Sequence, residues 1–73
     1  MTILEALQWA NNKLKKSGVD SPMLDAEILL AHVLNLTRAK LFSHFNDPIK
    51  PHHQERFLTL IERRSAFEPI AYL

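Results

Sequence analysis

Four histidines are the side chains of this 73-residue chain that are best suited to binding a metal ion. His52 and His53 are adjacent, so on a helix they point about 100° apart and do not grip one ion together. His32 and His44 fall in different predicted helices, without a carboxylate pattern beside them. The chain has no cysteine to add a thiolate ligand. The sequence therefore predicts no metal site, with His32 at a helix surface or boundary and the other histidines in solvent.

No combination of side chains has the pattern of a nucleophile with its base, or of a phosphate-binding loop. Asp25 and Glu27 stand two residues apart on a predicted helix, so their carboxyl groups face different ways. A single glycine, Gly18, rules out a glycine-rich loop. The serines lie at predicted helix ends or exposed turns, where capping accounts for most of them: Ser17, Ser21, Ser43 and Ser65. We therefore expect no catalytic and no cofactor-binding residue here.

Composition and charge favour a small globular domain. Hydrophobic residues make up 47% of the chain, and nine basic against eight acidic residues leave a net charge of +1. That balance does not by itself drive binding to the phosphate backbone of nucleic acids. An acid, Glu5, near the start argues against a signal peptide, and no apolar run approaches the roughly 20 residues that span a bilayer. With no cysteine and no export signal, the predicted location is the cytoplasm.

The first two helices have clear start and stop signals. Thr2 and Glu5 form a capping box, and Gly18 stands where a left-handed C-cap is expected. One apolar face of the first helix has helical spacing: Ile3, Leu7, Ala10 and Leu14. Ser21-Pro22 predicts a second start, with the serine hydroxyl as N-cap, and Asn35 is the expected C-cap. The residues between are apolar on nearly all sides, which is typical of a central, buried helix.

Two more helices complete the predicted bundle. Thr37 starts a short third helix, and residues 46–48, Asn-Asp-Pro, end it with a turn. Its predicted apolar side comprises Leu41, Phe42 and Phe45. Pro51 opens a fourth helix, which Pro69 breaks before one further possible turn. The predicted core face of the fourth helix is Phe57, Leu58 and Ile61, with Leu60 beside it. The sequence thus predicts an all-α bundle of four or five helices with short connections.

The segment from Asp25 to Phe45 also has the layout of a helix-turn-helix. The side chains that could project from its second helix are Arg38, Lys40, Ser43 and His44. However, any helical bundle contains such corners, the second helix is short, and no basic patch surrounds it. A DNA-binding module is therefore kept as an alternative function.

Two stretches of the chain resemble the N-terminal domain of the HemK/PrmC family, the protein-(glutamine-N5) methyltransferases that modify peptide chain release factors. The first is Ser21-Pro22 with residues 25–34, Asp-Ala-Glu-Ile-Leu-Leu-Ala-His-Val-Leu. The second is Arg63-Arg64 with residues 68–73, Glu-Pro-Ile-Ala-Tyr-Leu. The resemblance covers essentially the whole chain. One departure is Phe67, where the family usually has a glycine that would ease the turn into the following proline.

The resemblance implies that residues 1–73 are a helical substrate-recognition domain, and the apolar ending likewise suggests one domain of a larger protein. A Rossmann-like catalytic domain would lie outside this chain. The family's S-adenosylmethionine site is a glycine-rich loop and its catalytic motif is Asn-Pro-Pro-Tyr, and neither occurs here. The parent enzyme would use S-adenosylmethionine to methylate the glutamine of the Gly-Gly-Gln loop of class I release factors, while this chain alone would be inert.

The implied partners are the release factor and the enzyme's own catalytic domain. The residues expected to contact one or the other close the chain: Arg63, Arg64, Glu68, Pro69 and Tyr72. Without the resemblance, the arginine pair has a simpler interpretation as cations that suit the negative end of a helix dipole. A third functional hypothesis is a purely structural cap, which shields the catalytic domain and touches no substrate.

Overall fold

Four α-helices form the regular structure of residues 1–70, the part of the chain that the computed structural model describes. They are α1 (Ile3–Lys16), α2 (Pro22–Leu34), α3 (Arg38–Ser43) and α4 (Pro51–Ser65). The predicted all-α fold is confirmed, with starts at Pro22 and Pro51. The further turn predicted after Pro69 reaches into residues 71–73, which lie outside the described part.

Helix α2 is the centre of the bundle, because α1, α3 and α4 all pack against it. The apolar stripes of the helices meet in one core, whose largest fully buried side chains are Phe57, Leu7, Leu14, Leu30, Leu41 and Ile61. Trp9 packs on the core in a T-shaped contact with Phe57, with ring centroids 6.5 Å apart. The predicted face of α1 and the central position of α2 are thus confirmed.

The start of α1 is held by two sets of hydrogen bonds. In the predicted capping box, the Thr2 amide donates to Glu5 Oε1 at 2.8 Å and the Glu5 amide donates to Thr2 Oγ1 at 3.2 Å. In addition, the Ile3 amide donates to the carbonyl of Asp47, and the Ile49 amide donates to the carbonyl of Met1. The segment between α3 and α4 therefore runs across the first turn of α1 and supplies partners that a helix start otherwise lacks.

Three of the helices end in the same way, with a residue in the left-handed conformation and two reversed hydrogen bonds. The left-handed residues are Gly18 after α1, Asn35 after α2 and Phe67 after α4, with φ of 83°, 56° and 67°. After α4, for example, the Phe67 amide donates to the Arg64 carbonyl and the Glu68 amide to the Arg63 carbonyl. This pair of bonds is the Schellman motif, which satisfies carbonyls at a helix end.

Three details of the prediction were wrong. Ser21 has a left-handed backbone and its hydroxyl does not cap α2, because capping hydroxyls reach the helix amides from an extended backbone. Phe42 is 48% exposed rather than packed, since α3 buries only the side chain of Leu41. On α4, Leu60 belongs to the core and Leu58 is only half-buried.

Candidate functional site

The end of α4 is tied to the start of α2 by one arginine. Arg64 Nε donates to Asp25 Oδ2 at 2.9 Å, and Arg64 Nη1 donates to the backbone carbonyl of Glu68 at 3.1 Å. The side chains of Arg64 and Asp25 are only 20% and 10% exposed. Arg64 therefore ties the turn that follows α4, residues 66–68, to the start of α2.

The neighbouring arginine makes a more exposed contact. Arg63 Nε lies 2.8 Å from Glu68 Oε2, and both side chains are 44% exposed. An ion pair with that exposure contributes at most about 1 kcal/mol to stability, so it leaves both groups accessible to a partner. Pro69 is also exposed, whereas Tyr72, the last of the expected contact residues, lies outside the described residues. The structure thus brings Arg63, Arg64 and Glu68 together around the Schellman turn.

The sequence did not reveal the role of the two acids on α2. Asp25 and Glu27 are both buried, and each is paired with an arginine from another helix. Arg38 binds Glu27 Oε1 through Nη2 at 2.9 Å and through Nε at 3.3 Å. The available signal was that α2 is apolar on nearly all sides, so that a carboxylate on either side of it is buried and requires a cationic partner.

The histidines have contacts that differ in part from the predicted ones. His44 Nδ1 lies 2.7 Å from Asp47 Oδ2, a carboxylate contact that was not foreseen. The rings of His52 and His53 lie side by side with centroids 4.1 Å apart, although neighbouring helical residues diverge at the backbone. His32 is exposed, as predicted. Within residues 1–70, no three histidine, aspartate or glutamate side chains cluster as metal ligands would.

Among the titratable groups of residues 1–70, two have shifted pKa values. The pKa of Glu5 is lowered, first by the hydrogen bond from the Thr2 amide and then by the Thr2 hydroxyl. The pKa of His53 is lowered, first by desolvation and then by the positive charges of His52, Lys50 and Arg56. Both groups lie in the first turn of a helix. Glu5 is the acid of the capping box of α1, and His53 lies among basic side chains at the start of α4.

The corner between α2 and α3 has little in common with a DNA-reading surface. Arg38, the foremost candidate for a base or phosphate contact, is engaged by Glu27. Helix α3 has only six residues, and Phe42 occupies part of its exposed side. Of the other candidates, Lys40 is exposed, and His44 is paired with Asp47. The contacts of the α2–α3 corner therefore mainly hold α3 against α2.

None of the helices within residues 1–70 combines the length and the apolar character needed to cross a bilayer.

The family model of the PrmC N-terminal domain matches residues 5–73. The chain is 38% identical over 73 residues to a release factor glutamine methyltransferase of Moorella thermoacetica, covering 100% of the chain and 26% of that protein. It is 40% identical over 73 residues to the release factor glutamine methyltransferase of Vibrio cholerae, with the same two coverages. It is 43% identical over 72 residues to a bifunctional methyltransferase of Rickettsia prowazekii, covering 99% of the chain and 14% of that protein.

The chain thus spans about a quarter, or less, of the length of the curated relatives that it matches. No solved structure matches it significantly. The similarity to named methyltransferases extends over all four helices. This chain belongs to the PrmC N-terminal domain family.

Proposed function

We propose that this chain is the N-terminal domain of a release factor glutamine methyltransferase and that it helps to bind the release factor. The observation that carries the proposal is the match of the entire chain to proteins of that name, together with a domain-family model. In this proposal the parent enzyme transfers a methyl group to the glutamine of the Gly-Gly-Gln loop of class I release factors, and its Rossmann-like catalytic domain lies outside the chain.

The residues of this chain do not fit S-adenosylmethionine, the methyl donor that the family implies. With one glycine it has no glycine-rich loop, and Gly18 is the left-handed residue of the turn that ends α1. The two acids of α2 already form ion pairs, Asp25 with Arg64 and Glu27 with Arg38. We therefore assign no step of methyl transfer to this chain and place the cofactor in the rest of the parent enzyme.

A remote docking domain has a physical rationale in such an enzyme. The methyl acceptor is one side chain on a large protein, and binding far from the reacting atoms supplies orientation at the reacting centre. The geometry after α4 supports two roles. Arg64 fixes the path of the chain after α4 as far as Glu68, while the exposed pair Arg63–Glu68, with Pro69, offers contacts to the catalytic domain or to the release factor. Tyr72 stays a predicted contact that rests on the resemblance.

The two alternatives have less support. A DNA-binding module would require several free cations on α3, but Arg38 is engaged by Glu27, which leaves Lys40 as the exposed candidate on this short helix. A purely structural cap would use the same Arg64 anchor and differs only in touching no substrate. The docking hypothesis and the structural-cap hypothesis both stay predictions. They differ in whether a change in this domain alters the KM of the parent enzyme for the release factor.

The test is charge reversal at Arg63 in the parent enzyme, read as steady-state kinetics with the release factor as varied substrate. Arg63→Glu replaces an exposed ion pair by an exposed like-charge contact with Glu68, whereas a change at Arg64 would leave the buried Asp25 unpaired. We expect KM to rise about fivefold with kcat unchanged, as for loss of uniform binding. Lys15→Glu, an exposed charge reversal on α1, is the matched control. An unchanged KM in folded Arg63→Glu enzyme would count against a contact between Arg63 and the release factor.

A further inference from the structure

Helices α1, α3 and α4 pack against α2 and leave one stripe of it exposed. Residues four apart lie above one another on a helix, and Leu24, Ile28 and His32 form such a row. Leu24 is 39% exposed and Ile28 is 36% exposed, although the other apolar residues of α2 are buried or half-buried. His32 is exposed as well. We refer to this row of three residues as the outer stripe.

Two ion pairs border the outer stripe. Successive residues of a helix are about 100° apart, so Asp25 and Glu27 lie on either side of the row. Asp25 is held by Arg64 of α4. Glu27 is held by Arg38 of α3. The formal charges of the two pairs cancel, and the stripe itself has no formal charge when His32 is neutral. This surface therefore suits an apolar partner and offers no cluster of unpaired cations to a phosphate backbone.

The chain after α4 passes the start of the outer stripe. Arg64 donates from Nε to Asp25 Oδ2 and from Nη1 to the Glu68 carbonyl, so one guanidinium holds both segments. Asp25 directly follows Leu24, the first residue of the stripe. Phe67 belongs to the same turn after α4, and its side chain is more than half exposed. The part of a parent enzyme that follows this turn is therefore attached beside the outer stripe.

The length of the relatives indicates which surface can cover the outer stripe. The matching family is that of an N-terminal domain, and the chain spans 26% of two release factor glutamine methyltransferases, so most of such a protein lies beyond this domain. An attached domain binds intramolecularly, without the cost of bringing a free partner. Interfaces between domains of one chain are small, whereas a stable dimer contains roughly 20–30 residues a side. A stripe of this size therefore favours an attached domain over a second copy.

We propose that the outer stripe packs against an apolar surface of the parent enzyme's own catalytic domain, with Phe67 as a further contact. The proposal rests on the proposed function, because the catalytic domain is itself part of that proposal. The contact removes exposed apolar surface of Leu24 and Ile28 from water. It also holds the two domains in one relative orientation, which a substrate that is bound remotely requires.

The experiment compares thiol labelling of this chain alone and of the parent enzyme. The chain has no cysteine, so Ile28→Cys places one thiol in the outer stripe, and Lys15→Cys places one at an exposed position of α1 as the matched control. We expect N-ethylmaleimide to modify Ile28→Cys at least about tenfold more slowly in the parent enzyme than in the chain alone, because a packed thiol is inaccessible. The rates for Lys15→Cys should agree within about twofold. Mass spectrometry of the peptide that contains the new thiol gives each rate.

Circular dichroism checks that each variant is folded, and Leu24→Cys, in the same stripe, replaces Ile28→Cys if that variant is unfolded. Methylation of the release factor is assayed with the same enzyme preparations. A failure of the proposed function is therefore recognised independently of the labelling rates.

Three outcomes would overturn the outer stripe as a contact between domains. Equal labelling of Ile28→Cys in both proteins would show that the stripe is open in the parent enzyme. Protection that develops only when a class I release factor is added would make the release factor the occupant. Protection of the chain alone that disappears on dilution would indicate a second copy.

Discussion

Arg64 and Asp25, 39 residues apart in sequence, join the end of α4 to the first turn of α2 through a largely buried hydrogen bond of 2.9 Å. The same guanidinium holds the Glu68 carbonyl. One side chain therefore couples the stability of the bundle to the path of the chain after α4.

Removing the guanidinium should destabilise the fold. We expect Arg64→Ala to lower the free energy of unfolding by about 2–3 kcal/mol, because Asp25 stays buried without its partner. Arg63→Ala, which breaks only the exposed pair with Glu68, should cost less than about 1 kcal/mol. Urea unfolding followed by circular dichroism measures both. Equal losses for the two variants would show that burial of Asp25 does not matter.

The buried Phe57 should contribute more to the stability of the fold than an exposed phenylalanine does. Phe57 is fully buried and makes a T-shaped contact with Trp9, so we expect Phe57→Ala to lower the free energy of unfolding by about 3–5 kcal/mol. A core of this size rarely provides more than about 3–5 kcal/mol, so the variant should be largely unfolded at room temperature. Phe42→Ala, at an exposed site, should stay folded with a loss below about 1 kcal/mol. A cooperative thermal transition in Phe57→Ala similar to that of the parent chain would contradict this account.

Phe67 should be replaceable by glycine with a gain in stability. Its φ of 67° is costly for a residue with a Cβ atom, and its side chain is 59% exposed, so little packing is lost. We expect Phe67→Gly to raise the free energy of unfolding by about 1 kcal/mol. Ala66→Gly is the control, because φ is −89° at this exposed neighbour and a glycine there should be neutral or destabilising. Stabilisation by both substitutions, or by neither, would argue against backbone strain at Phe67.

Stability should fall in mildly acidic solution partly through His53. Its pKa is lowered in the folded state by desolvation and neighbouring cations, so the unfolded chain binds the proton more tightly. The contribution is present above the ordinary histidine pKa of about 6.5 and is lost as pH falls through the lowered folded value. We expect His53→Gln to reduce the loss of stability between about pH 7.5 and about pH 5. Equal pH dependence of variant and parent chain would contradict this prediction.

Glu5 titrates with the same sign but in a more acidic range. Since its folded pKa is lowered by Thr2, its contribution is present above the ordinary glutamate value and is lost as pH falls through the folded value. Glu5→Gln should therefore reduce the acid sensitivity below about pH 4.5 and leave the histidine range unchanged. Unfolding curves across both ranges distinguish the two residues.

The helices could be predicted because their signals are local. The capping box of Thr2 and Glu5, the prolines at Pro22 and Pro51, and the left-handed positions Gly18 and Asn35 each act within one turn. Ser21 was predicted wrongly because its backbone is set by the turn after α1, not by its own capping preference.

The site could be predicted only in part, because its contacts join distant segments. The arginine pair was recognised, but the partner of Arg64 is Asp25 on another helix, and no local pattern specifies that pairing. Phe67 shows the opposite case. A glycine is expected there, yet the hydrogen bonds of the Schellman turn hold a phenylalanine in the left-handed conformation.

The most direct test of docking compares two substrates of the parent enzyme, with and without this domain. One substrate is the intact release factor, and the other is a short peptide that contains its Gly-Gly-Gln loop. If the domain docks the release factor, its deletion lowers kcat/KM for the intact protein by about 100-fold and leaves that for the peptide within about twofold. Equal losses for both substrates would mean that the domain only supports the catalytic domain, and docking would be contradicted.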